Sequence, residues 1–209
     1  EEDVPNPINV YGTMKLQAEK VVQELLGDYL IIRPTLMLST DSKFVVHLIS
    51  TLMKGRSISL PVDLYTNPIE VATAAEVIEK LISMDAKGIY HIGGKEYLSR
   101  YELAMKLAEM FGLDKTFIQK CLFEELGSKA QRPLKGGLKI DKMASFLAGQ
   151  VSIEGPSSPV NDKKFIEELL RSIDREKLSV PQEIASVDGK YRLGGLLVRE
   201  FKGKTSEDN

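Results

Sequence analysis

Tyr11 and Lys15, four positions apart, form the pair in this chain best suited to moving a proton. On a helix they share one face, so the ammonium lies near the phenol and favours its ionised form. A phenol placed in this way can hand over a proton near neutral pH. The spacing alone selects weakly: with 7 tyrosines and 28 Lys+Arg in 209 residues, about one Tyr-x-x-x-Lys/Arg pair arises by chance. Tyr29/Arg33 is such a pair on an expected strand, and Tyr11/Lys15 by itself is equally an ordinary surface pair on a first helical turn. Its surroundings favour chemistry. Pro5 and Pro7 impose an extended approach, and Asn9 is placed to cap the helix. Leu16, Val21, Val22, Leu25 and Leu26 trace one apolar face that is expected to be buried.

The elements that must hold this pair follow a helix–strand rhythm. A helix is expected over 13–26, stopped by a left-handed Gly27, and Tyr29 to Leu38 reads as one strand apolar on both faces, as in a central parallel strand covered by helices. Further helices are expected over 44–53 and 71–84, the latter with Ala74, Ala75, Ile78, Leu81 and Ile82 inward. Short strands are expected at 58–60 and 88–92, the second followed by a Gly93-Gly94 turn. Ser99-x-x-Glu102 has the form of a capping box opening a helix through Leu103, Leu107 and Phe111. The stretch 116–126 reads as a weaker helix carrying Cys121 as a core thiol, and 141–146 as a short one. This alternation indicates an α/β fold with a doubly wound parallel sheet.

Beyond Gly149 the character changes. Gly155-Pro156-Ser157-Ser158-Pro159 is linker chemistry, followed by an expected charged amphipathic helix over 162–176 and a strand or hairpin over 190–201. Two units are therefore expected, 1–149 and a 150–209 extension.

Composition excludes several classes of function. At 43% hydrophobic the chain can bury a sizeable core, and its net charge of −2, without a basic tract, argues against nucleic acid as a partner. Its apolar runs fall well short of the roughly 20 residues that span a bilayer, and no secretory signal is evident. The lone Cys121 excludes an internal disulfide and fits a reducing compartment, the cytoplasm. Neither His47 nor His91 lies near it in sequence, so no metal site is expected.

Taken in order, Pro5-Asn6-Pro7-x-Asn9-x-Tyr11-Gly12-x-x-Lys15-x-x-x-Glu19, then Ile32-Arg33-Pro34, Asn67-Pro68-Ile69, and Gly88-Ile89-Tyr90-His91-Ile92-Gly93-Gly94 before Ser99-Arg100-Tyr101-Glu102 resemble an extended short-chain dehydrogenase/reductase. The likeness runs from Glu1 to about Phe146 and is nearest to the C-terminal part of the dTDP-4-dehydrorhamnose reductases. It implies a partial Rossmann-like sheet with a C-terminal substrate-binding lobe, NADPH or NADH as cofactor, and a nucleotide-linked 4-keto sugar as substrate. Tyr11 would protonate the C4 oxygen, while Lys15 would hold the nicotinamide ribose and keep the phenol acidic. Pro34 and Thr35 would meet the nicotinamide carboxamide, at the carboxyl end of a parallel strand where such sheets bind ligands. Arg132 is a weaker candidate for the sugar nucleotide.

The sequence departs from that family in one respect that bears on activity. No G-x-G-x-x-G or G-x-x-G-x-x-G occurs in the chain, so the turn that lets backbone amides approach a pyrophosphate is not in it. The Ser/Thr found one strand ahead of the tyrosine in the family has no counterpart either. The chain alone is therefore expected to bind NADPH poorly and to lack reductase activity. The resemblance leaves two alternatives open: a sugar-nucleotide epimerase using the same Tyr/Lys pair, and a non-catalytic regulatory subunit like that of methionine adenosyltransferase. A second protein chain or a homo-oligomer is compatible with either.

Overall fold

The computed structural model describes residues 1–39, 41–128, 130–149 and 151. The expected extension over 150–209 lies, but for Val151, outside the described residues.

Helix α1 (Val10–Leu25) starts where Asn9 directs it. The Asn9 side chain accepts a hydrogen bond from Gly12 N at 2.8 Å, and Asn9 O closes the first turn onto Thr13 N at 3.0 Å. This supplies acceptors to amides that have no partner inside the helix. The other end does not use a left-handed glycine, because Leu26 ends the helix in an extended conformation. The apolar stripe expected to be buried is not: α1 has no buried residue, and Val21, Leu25 and Leu26 are exposed. Periodicity identifies an apolar face but not the surface that would cover it.

The expected single strand over 29–38 divides into β1 (Leu30–Pro34) and β2 (Met37–Leu38). Between them Thr35 N donates to Ile92 O at 2.8 Å and Thr35 Oγ1 to Asn67 O at 2.6 Å, which turns the chain from one partner strand to another. β1 lies parallel to β6 (Gly88–Ile92), Leu30 facing Gly88 and Pro34 facing Ile92, and β2 lies parallel to β5 (Ile69–Glu70). β3 (Ile58–Pro61) pairs in parallel with β8 (Ile118–Cys121), and β4 (Tyr65–Thr66) pairs antiparallel with β7 (Leu98–Ser99). The expected weak helix over 116–126 is thus a strand between two short 3₁₀ turns. Cys121 sits on that strand and is buried, so burial raises its thiol pKa.

Helices α2 (Lys43–Met53), α3 (Val71–Ser83), α4 (Arg100–Met110) and α5 (Asp141–Leu147) cover these strands and separate two cores. One gathers Leu48 and Ile49 of α2 with Leu103 and Leu107 of α4 over β3 and β8. The other gathers Val77 and Leu81 of α3 with Ile92, Met143 and Leu147 beside β6. Each fully buried Leu or Ile contributes about 1.5–3 kcal/mol relative to exposure. On α3 the inward face is Ala74, Val77 and Leu81, whereas Ala75 and Ile82, also expected inside, are exposed. The capping box forms as the sequence predicts: Ser99 Oγ accepts from Glu102 N at 3.1 Å, and Ser99 N donates to Glu102 Oε2 at 2.8 Å. The Ser99 amide and the Ser99 hydroxyl, both donating to Glu102 Oε2 at 2.8 Å, hold the Glu102 pKa below its usual range.

Candidate functional site

Tyr11 and Lys15 occupy the first turn and a half of α1, and the Lys15 ammonium stands 5.6 Å from the centroid of the Tyr11 ring. The spacing read from the sequence therefore becomes a contact, with a cation over the phenol ring at an open surface where Tyr11 is 70% exposed. The next residue along that side of the helix, Glu19, turns inward. It takes Arg33 of β1 in a fork, with Nε at 2.9 and 3.1 Å from the two carboxylate oxygens and Nη2 at 2.5 Å. This bond raises the Arg33 pKa above its ordinary value. Since α1 buries no side chain, the fork is its principal tie to the sheet.

A second tie acts at the start of the helix. Asn9 Nδ2 donates to Gln131 O at 2.8 Å, so the residue that caps α1 also holds the stretch carrying Arg132. Arg132 itself is exposed. Pro34 ends β1 and is exposed, while Thr35 follows it, half-buried. Among the described residues no hydrogen bond joins Tyr11 or Lys15 to Pro34 or Thr35. Both Thr35 donors are already committed, the amide to Ile92 O and the hydroxyl to Asn67 O. Thr35 therefore has only acceptor capacity left for a ligand.

Asn67, which the sequence showed only within the Asn67-Pro68-Ile69 motif, joins the segments around Thr35. It is 4% exposed. Its Nδ2 donates to Gly94 O at 2.9 Å and to Leu138 O at 3.0 Å, and its Oδ1 accepts from Leu138 N at 2.9 Å. One side chain thereby joins the end of β6 to the segment following Arg132. Gly94 permits this approach, since a Cβ there would lie 2.1 Å from Pro68 O. His91 on β6 is buried, with Nδ1 3.2 Å from Lys139 O, and burial holds its pKa below 6.5. Among the described residues no group of three or more His, Cys, Asp or Glu is placed to hold a metal, and no helix is long and apolar enough to cross a membrane.

Lys15 offers an ammonium and Tyr11 a hydroxyl at an open helix face. The glycine-rich turn for the pyrophosphate is not in the sequence.

Comparison with known proteins agrees with this architecture. The family model described as RmlD substrate binding domain matches residues 1–152. The "Probable low-salt glycan biosynthesis reductase Agl14" of Haloferax volcanii is 26% identical over 153 residues, covering 70% of this chain and 51% of that protein. The methionine adenosyltransferase 2 subunit beta of Bos taurus is 28% identical over 160 residues, covering 72% of this chain and 48% of that protein. The crystal structure of dTDP-4-dehydrorhamnose reductase from Bacillus anthracis str. Ames in complex with NADP superposes with a TM-score of 0.68 at 26% identity, covering 84% of this chain and 58% of that one. The chain spans about half the length of the curated relatives it matches.

Proposed function

The chain belongs to the RmlD substrate binding domain family, and on that premise we propose that it supplies the proton-donating pair and the sugar-nucleotide lobe of an NAD(P)H-dependent reductase acting on a nucleotide-linked 4-keto sugar. The observation that carries this reading is the Lys15 ammonium 5.6 Å from the Tyr11 ring centroid, on a helix tied to β1 through Glu19 and to the Arg132 stretch through Asn9. The α/β, Rossmann-like fold that the chain shares with the reductase from Bacillus anthracis supports it further.

In this reading the Tyr11 hydroxyl donates its proton to the C4 oxygen as the carbonyl is reduced. The Lys15 ammonium stabilises the phenolate left behind and binds the ribose hydroxyls of the cofactor, which when bound supplies the hydride. General acid catalysis of this kind contributes about 10²–10⁴-fold. Pro34 bounds the nicotinamide end, and Thr35 offers its remaining lone pair there. Arg132 meets the sugar nucleotide. The reductase-like unit is taken as 1–149 and the remainder, 150–209, as an extension. A single cysteine supports a reducing compartment, the cytoplasm. Full activity needs a glycine-rich turn for the pyrophosphate, so the 209 residues alone bind NADPH poorly.

A second reading has its own support. The likeness to methionine adenosyltransferase 2 subunit beta favours a binding or regulatory subunit on the same fold, for which Tyr11 would be dispensable. The deciding experiment offers NADPH and dTDP-4-keto sugar to the protein purified from its native source. Net NADPH oxidation, lost in Tyr11→Phe, supports the reductase. No turnover, together with a stable protein complex indifferent to Tyr11→Phe, supports the subunit.

A further inference from the structure

We propose that His91 is a positioning residue for the Tyr11/Lys15 helix, holding α1 on the sheet through Arg33 and Glu19 while neutral and releasing it when protonated. That this governs a proton-donating pair rests on the reductase reading above; the attachment itself does not. Arg33 and His91 face each other in register on β1 and β6, and Arg33 Nη1 lies 3.5 Å from His91 Nε2. The same guanidinium forks onto Glu19 of α1, a helix with no buried residue of its own. His91, only 8% exposed, thus stands behind the cation that ties α1 down.

The partners fix the state of the ring. A guanidinium only donates, so Nε2 has to accept; a carbonyl only accepts, so Nδ1, 3.2 Å from Lys139 O, has to carry the hydrogen. Only the neutral imidazole with its hydrogen on Nδ1 satisfies both. Protonation leaves the Lys139 contact intact and turns Nε2 into a second donor beside Arg33. Two N–H groups and two like charges then meet 3.5 Å apart at a buried position. Arg33 cannot give up its proton, so relief comes from moving the guanidinium and with it the fork.

The other charges around the ring are few. From the start of the chain the Glu1 carboxylate accepts from His91 N at 2.8 Å, lies 3.9 Å from Nδ1 and favours the cation. Burial opposes it most, followed by the Glu1 α-amino group and Arg33. From α5 the Lys142 ammonium is taken up by Ile89 O and the Tyr90 ring, and α1 contributes Glu19, already shared with Arg33. An attached state that resists protonation is, by linkage, one that a falling pH depopulates.

Hydrogen exchange of the α1 amides, corrected for the intrinsic effect of pH, tests this on the full natural protein at pH 7.5 and 5, with His91→Gln and Glu19→Gln. Glutamine at 91 keeps an acceptor for Arg33 and a donor for Lys139 O but does not titrate. Wild-type α1 protection is expected to fall about 10-fold between the two pH values. His91→Gln is expected to keep the pH 7.5 level at both, and Glu19→Gln, without the fork, the low level at both. Wild-type protection that does not change with pH overturns the proposal, as does an undiminished fall in His91→Gln. Should His91→Gln not fold, Glu19→Gln decides alone: loss of the pH dependence supports the proposal and a full fall overturns it. A pH-dependent α1 in a protein without NADPH turnover would keep the His91 role and remove the reductase reading. Turnover with α1 protection indifferent to pH would do the opposite.

Discussion

Glu19→Gln tests how the Tyr11/Lys15 helix is held. The Glu19 and Arg33 side chains are 18% and 22% exposed and meet through three N–O contacts of 2.5–3.1 Å, on a helix that buries no residue. A hydrogen bond to a charged group contributes about 1.5–3 kcal/mol, and a forked pair shielded from water falls within that range after desolvation. Glutamine keeps the shape but loses the charge and one acceptor, so a loss of about 2 kcal/mol is expected, or roughly 4–8 °C in melting temperature for a domain of this size. Thermal denaturation of Glu19→Gln, Arg33→Met and the double variant measures it as a cycle, with a coupling of at least ~1 kcal/mol expected between the two positions. Additive single-variant effects, or a Glu19→Gln loss under ~0.5 kcal/mol, would refute the view that this fork holds α1 on the sheet.

Other perturbations probe the buried polar residues. Asn67→Ala removes three hydrogen bonds from a buried position and orphans Leu138 N and two carbonyls; a loss of about 2–4 kcal/mol in denaturant unfolding is expected. His91 has its folded pKa held below 6.5 by burial, so the unfolded chain binds more protons once the pH drops below the unfolded value. Its contribution is therefore full above that value and lost as the pH falls toward the folded pKa. Unfolding free energy measured from pH 7.5 to 5 should decline more steeply in the wild type than in His91→Gln, and equal slopes would contradict this.

Much of the site could be read from residue types because the forces that set it are local. Asn9 as a cap, the Ser99/Glu102 box and the one-sided Tyr11/Lys15 spacing each depend on neighbours within four residues. The expected strand over Gly88–Ile92 is also observed with those limits. What escaped depends on partners distant in sequence. Ile118–Cys121 is a strand because Ile58–Pro61 lies beside it, although its own pattern suggested a helix. Thr35 breaks β1 from β2 by bonding to Asn67 and Ile92, residues more than thirty positions away. Arg100 read only as the residue after a cap, and its packing against the Phe44 ring depends on a helix more than fifty positions away. Asn67 left one usable signal, its place in the Asn67-Pro68-Ile69 motif ahead of a helix, which does not show the three bonds its side chain makes.

The most direct measurement of the central claim is single-turnover reduction of a dTDP-4-keto sugar with NADPH by the native protein and its Tyr11→Phe variant. The proton-donor role predicts a fall of about 10²–10⁴-fold in the reduction rate, with sugar-nucleotide affinity and melting temperature unchanged. Reduction by Tyr11→Phe at the wild-type rate, or no reduction by the wild-type protein when both substrates bind, would contradict it.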